Sequence, residues 1–136
     1  MPDCIFCKII AGQIPCAKLA ETDNVISFMD IAPVNHGHCL VIPKRHVENL
    51  LELTEAELHD CIVTAQRVAK AAVAATGSVG FNILQNNHPC AGQVVPHMHM
   101  HVIPRSPSDG FRFGWRQGRY AEGEMLALQQ RILAQM

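Results

Sequence analysis

The sequence predicts an α+β domain built on a mainly antiparallel sheet. Three observations carry this reading: short β-branched runs recur between turn signals, one long stretch has helical periodicity, and three histidines alternate with apolar residues. The elements follow from local chemistry. Cys4 to Ala11 reads as a short helix stopped by Gly12 and Pro15. Lys18 to Glu21 and Val25 to Asp30 read as strands joined by a turn at Thr22-Asp23-Asn24. Cys39 to Ile42 reads as a buried strand. Thr54-Glu55-Ala56-Glu57 is a capping box, in which the Thr54 hydroxyl accepts from the Glu57 amide and the Glu57 side chain reaches back. Beyond it Leu58, Cys61, Ile62, Ala65, Val68, Ala69, Ala72 and Val73 recur at helical spacing up to Gly77, which predicts the long central helix. Val79 to Leu84 and His97 to Ile103 supply two further strands, and Glu122 to Gln135 patterns as a C-terminal helix.

With 136 residues and 49% hydrophobic content, the chain has apolar surface enough for one core. Residues 1–136 are read as a single domain without repeats, low-complexity tracts or an interdomain linker. The formal charge of −1 gives no electrostatic case for nucleic acid or an anionic membrane as the main partner. No run of 18 apolar residues and no basic-then-apolar leader is visible, so the expectation is a soluble cytoplasmic protein. In that setting the six cysteines are expected as free thiols and metal ligands rather than disulfides.

The segment Pro96-His97-Met98-His99-Met100-His101-Val102-Ile103-Pro104 is the most informative. Successive strand residues point to opposite faces, so His97, His99 and His101 would line one exposed face while Met98, Met100 and Val102 anchor the other. A neutral imidazole near pH 7 is suited to nucleophilic attack on phosphorus. Upstream stand Gly92-Gln93-Val94-Val95, then Asp30-Ile31-Ala32-Pro33 and His38-Cys39-Leu40-Val41-Ile42-Pro43-Lys44-Arg45-His46, with Asp3-Cys4-Ile5-Phe6-Cys7-Lys8-Ile9-Ile10-Ala11-Gly12-Gln13-Ile14-Pro15 at the start. In this order the blocks closely resemble the histidine triad (HIT) family of nucleotide hydrolases and transferases. The resemblance runs from Asp3 to about Arg105 and extends loosely into the tail, 106–136.

The resemblance implies a five-stranded antiparallel sheet, usually extended across a homodimer. It assigns the nucleophile to His99, which would form a nucleotidyl-imidazole intermediate. It sets His101 beside the transferred phosphate and leaving group, and it makes His38 the residue that orients or polarises His101. Asn86, Gly92 and Gln93 would lie against the phosphate and leaving group, with the Gln93 amide donating. Many relatives have Ser or Thr after that glutamine, whereas this chain has Val94. Asp30 would accept from the ribose hydroxyls, and Ile5, Phe6, Ile9, Phe28 and Ile31 would form an apolar slot for a purine base.

Cys4-x-x-Cys7 has metal-ligand spacing and needs two more ligands, for which His46 and His97 are candidates. A subset of bacterial-type relatives closes such a set into a structural zinc site. The rivals are free thiols and a redox pair, though no strand precedes the cysteines as a thioredoxin-like motif requires. The implied activity is release of AMP from an amine, acyl or phosphate leaving group, covering phosphoramidases and dinucleoside polyphosphate hydrolases. Two other readings stay open: a nucleotide-binding signalling module with vestigial turnover, and a triad that itself holds a catalytic zinc. Trp115 and Tyr120 among Arg112, Arg116 and Arg119 would either shape the leaving-group pocket, within the chain or across a dimer, or form a solvated connector.

Overall fold

All five expected strands form, and they make one antiparallel sheet. The structure, a computed structural model, describes residues 3–136. In chain order the elements are α1 (Ile5–Ile10), β1 (Lys18–Glu21), β2 (Val25–Met29), β3 (Cys39–Pro43), α2 (Glu55–Thr76), β4 (Gly80–Gln85), β5 (Met100–Arg105) and α3 (Glu124–Leu133). The strands lie in the order β1-β2-β3-β5-β4. Single 3₁₀ turns at Leu50–Glu52 and Pro89–Ala91, which periodicity does not reveal, bracket α2 and β4 on the outside.

The turn between β1 and β2 is held by one hydroxyl. Thr22 Oγ1 accepts from the amides of Asn24 and Val25 at 3.2 and 3.0 Å, which closes the chain without glycine. The capping box forms as read: Thr54 Oγ1 accepts from the Glu57 amide at 3.3 Å, and the Glu57 carboxylate accepts from the Thr54 amide at 2.8 Å. Gly77, at φ +67°, ends the helix in the left-handed conformation that a side chain resists. Cys61, Ala65, Val68 and Ala69 of α2 pack on Val25, Cys39, Val41, Met100 and Val102, so one face of the sheet is the main core.

The other face carries Ile26, Phe28, Leu40 and Ile42, and α1 covers only this part of it with Phe6 and its neighbours. Phe6 meets Phe28 edge-on at 6.1 Å between ring centres. The remainder of that face, over β5 and β4, stays open.

The last strand departs from the sequence reading. β5 begins at Met100 rather than His97. The His97 amide turns back to the Val95 carbonyl and the Met98 amide pairs with Val47 in a loop, so the chain joins the ladder only afterwards. The inside-outside alternation survives because Met98 and Met100 still enter the α2 core. The expectation of an exposed histidine face does not survive, since His97 and His99 are both buried. The tail beyond Phe111 carries no element until α3, none of whose residues is buried.

Candidate active site

A cavity of about 620 Å³ opens where α1 leaves the sheet uncovered. Register places its floor. His101 lies opposite Leu40 on β3 and Leu84 on β4, with His99 and Ile103 next to it on the same face. His38 arrives just before β3 through Gly37, at φ +88°, where a Cβ would come within 2.7 Å of Thr76 Cγ2. Asp30 arrives as β2 ends, its amide donating to the His38 carbonyl at 2.9 Å.

The partners of these imidazoles decide where their protons sit. The Val34 amide donates to His38 Nδ1 at 3.0 Å, so in neutral His38 the proton is on Nε2. That Nε2–H donates to His101 Nδ1 at 2.9 Å, which leaves the His101 proton on Nε2. His99 is set the other way. Its Nδ1 lies 2.6 Å from the His97 carbonyl oxygen, which can only accept, so Nδ1 carries the proton and Nε2 keeps a lone pair. Burial lowers the pKa of His38, His99 and His101, the last to about 4, so all three are neutral near pH 7. Two adjacent imidazoles therefore present opposite faces to one cavity: a lone pair on His99 and an N–H on His101. Both rings are close, 4.9 Å between centres.

Asp30 completes the rim. Its Oδ1 accepts from the Ala32 amide at 2.8 Å, and its Oδ2 lies 3.6 Å from His38 Nε2. Asp30, His38 and His101 approach one another closely enough to suggest a cation site. The proton on His38 Nε2 argues against it, because the donor amide of Val34 already claims the other nitrogen. The three-histidine zinc reading fails because His97 is turned away from the other two, its Nδ1 toward the Cys4 and Cys7 thiols and its Nε2 on the Pro43 carbonyl.

His97 belongs to a second cluster at the α1 end. Cys4 Sγ and Cys7 Sγ lie 3.3 and 3.6 Å from its Nδ1, Cys7 Sγ lies 3.3 Å from His46 Nδ1, and the two Nδ1 atoms are 3.2 Å apart. His97 Nε2–H donates to the Pro43 carbonyl at 2.8 Å, which turns a bare Nδ1 toward the thiols. A tetrahedral zinc with nitrogen at about 2.05 Å and sulfur at about 2.3 Å has ligand edges of roughly 3.3–3.8 Å. The four donors fit that shape and chemistry. Burial and the neighbouring Cys4 raise the Cys7 pKa, a penalty that a cation between the thiolates reverses.

Of the expected nucleotide contacts, Ile5, Phe6, Ile9, Phe28, Asp30, Ile31, Asn86 and Gly92 all border the cavity with His38, His99 and His101. Ile31 does so only at the rim, being 97% exposed. Gln93 is a correction. It is buried away from the cavity, with its amide nitrogen donating to the carbonyls of Glu48 at 2.6 Å and Val95 at 3.1 Å and its oxygen accepting from the His88 amide at 2.6 Å. Both amide protons are spent on backbone, so Gln93 shapes the loop and has no proton left for a phosphate. Val94 faces the opening with no hydroxyl, 89% exposed. In the tail, Trp115, Tyr120 and the three arginines are exposed and do not line the cavity of this chain, as the solvated-connector reading has it, whereas Phe111 lines it. Sequence reasoning also missed Val34, Leu84 and Ile103; strand parity with His101 would have found the last.

A family model described as the HIT domain matches residues 11–108. The chain belongs to the histidine triad family. Among curated HIT relatives, the adenosine 5′-monophosphoramidase of Schizosaccharomyces pombe is 42% identical over 130 residues, 95% of each chain. The solved structure of a HIT family member from Bacillus subtilis is 40% identical, with a TM-score of 0.92 over 98% of this chain and 97% of that one. A zinc-bound histidine triad protein from Mycobacterium smegmatis is 33% identical, with a TM-score of 0.76 over 98% of both chains.

Proposed function

We propose that this HIT protein is a nucleotide hydrolase that releases AMP from phosphoramidate, acyl or polyphosphate leaving groups through a covalent nucleotidyl-histidine. One observation carries the reading: His99 and His101, side by side in one cavity, hold their protons on opposite nitrogens. The phosphoramidase name of the S. pombe relative supports the amine class of leaving group. With an amidate, His99 Nε2 attacks phosphorus as the P–N bond breaks, and the electron pair leaves on the amine nitrogen, which takes a proton from solvent. The His101 Nε2–H donates a hydrogen bond to the transferring phosphoryl group. It does not give up its proton, because a neutral imidazole that did so would become an imidazolate. Water then attacks phosphorus, the P–Nε2 bond breaks, a proton passes to solvent and AMP leaves. The base occupies the slot between α1 and Phe28, and Asp30 accepts from the ribose hydroxyls.

Cys4, Cys7, His46 and His97 would hold a structural zinc, which neutralises the thiolates and ties α1 to the loop before β5. Because the His97 carbonyl orients His99, that tie also fixes the nucleophile. Pairing of two copies along β4, an outer strand with Phe81 and Ile83 exposed, is part of the same proposal. The missing hydroxyl at Val94 favours one rival, a nucleotide-binding module with vestigial turnover. Rapid-quench intact mass spectrometry with adenosine 5′-phosphoramidate separates the two. The enzyme reading expects a transient AMP adduct that His99→Ala abolishes along with turnover; AMP binding without adduct or turnover leaves the module.

A further inference from the structure

Part of the cavity lining is apolar and lies outside the expected base slot, a lobe defined by Leu84, Ile103 and Phe111. Its position follows from register: Leu84 flanks His101 on the side away from Leu40, and Ile103 is the next residue of that face along β5. Phe111 is held there firmly. Asp109 accepts from Arg105 Nε at 2.7 Å and Nη2 at 3.0 Å, and its Oδ1 accepts from the Phe111 amide at 3.1 Å. Arg105 Nη2 also donates to the Phe111 carbonyl, and its guanidinium sits 4.9 Å from the Phe111 ring centre. Asn35 joins Asp109, at 2.9 Å, to the loop that delivers His38. The backbone on both sides of the ring is thus clamped to the same elements that carry the histidines.

In-line displacement at phosphorus sends the leaving group away from the attacking nitrogen. With attack from His99, departure runs past His101 toward Ile103 and Phe111. Among the described residues lining the cavity there is no lysine or arginine, so an anionic leaving group meets no fixed countercharge there. We propose that this lobe receives the leaving group and that Phe111 is a specificity-determining residue selecting bulky, uncharged apolar groups over small or anionic ones. The proposal rests on the reading of His99 as nucleophile.

The test compares kcat/KM for adenosine 5′-phosphoramidate, its N-(2-phenylethyl) derivative and its anionic N-carboxymethyl derivative. Wild-type protein should favour the phenylethyl compound over both others. Phe111→Ala should lower the phenylethyl-to-unsubstituted ratio by about tenfold, the scale of a lost apolar pocket contact. Phe111→Leu, which keeps an apolar side chain and guards against misfolding of the alanine variant, should retain part of the ratio. An unchanged ratio in both variants, or a wild-type preference for the carboxymethyl compound, overturns the lobe alone. Turnover of none of the three by wild-type protein overturns the nucleophile reading and this one with it.

Discussion

His99 and His101 are two residues apart and chemically alike, and only their hydrogen-bond partners make them different. A carbonyl fixes one proton, and a relay from the Val34 amide through His38 fixes the other. The relay depends on neutral rings, and burial supplies that neutrality. It also links stability to pH. The folded pKa of His101 is lowered from 6.5 to about 4, chiefly by burial, so between these values the unfolded chain binds more protons than the folded one. Stability should therefore fall as pH drops from 6.5 toward 4. The His101 share is measured as the difference in urea midpoint between wild type and His101→Gln across that range; a constant difference would show that His101 takes no part. Asp30 acts at the same scale. Replacing it with alanine should weaken binding of AMP more than of 2′-deoxy-AMP, by about 1.5–3 kcal/mol, the usual contribution of a hydrogen bond to a charged group. Calorimetric titration with both nucleotides reads this directly, and equal losses would remove Asp30 from recognition of the 2′-hydroxyl.

At the scale of elements, α2 is the scaffold against which the sheet is laid. Its start is tied to the chain that enters it. Arg45 foremost, with the Thr54 amide behind it, holds the Glu57 carboxyl at about 2, so the cap, the helix and the segment after β3 share one carboxylate. Thr54→Ala should lower stability by about 1 kcal/mol, as loss of an N-cap hydroxyl does, with nucleotide affinity unchanged. Denaturant unfolding gives the first quantity and AMP titration the second. Such a change in stability without a change in affinity is expected because α2 packs on the face of the sheet opposite the cavity. The short α1 differs in kind. At 6 residues it has little stability of its own, so Phe6 packing and the cysteine–histidine cluster must hold it in place.

Across the whole molecule, the cluster of Cys4, Cys7, His46 and His97 joins three distant parts of the chain, and His99, the proposed nucleophile, hangs from one of them. Purified protein should contain about one zinc per chain, released as pH falls because the ligands must be deprotonated to bind. Elemental analysis of wild type and of the Cys4→Ser, Cys7→Ser double variant decides it. Zinc absent from wild type, or retained in the double variant, would leave the cysteines as plain thiols. Removal of the metal should loosen α1, with faster amide exchange there than in α2.

Patterns that act over a few residues were legible without coordinates. The capping box, the helical repeat of α2, the five strands and the histidine alternation depend on local geometry that every chain of this sequence shares. The order of the blocks was enough to indicate the family, and about half of the cavity wall followed from it. What stayed hidden depends on atoms far apart in sequence. β5 starts late because His97 is drawn to Cys4 and Pro43, and Gln93 turns from the cavity because Glu48 takes its proton. Phe111 reaches the site only because Arg105 and Asp109 fold the tail back over β4. The protonation of the histidines is decided in the same way. Residue type says that an imidazole is present, but which nitrogen carries the proton depends on the group the fold sets against it.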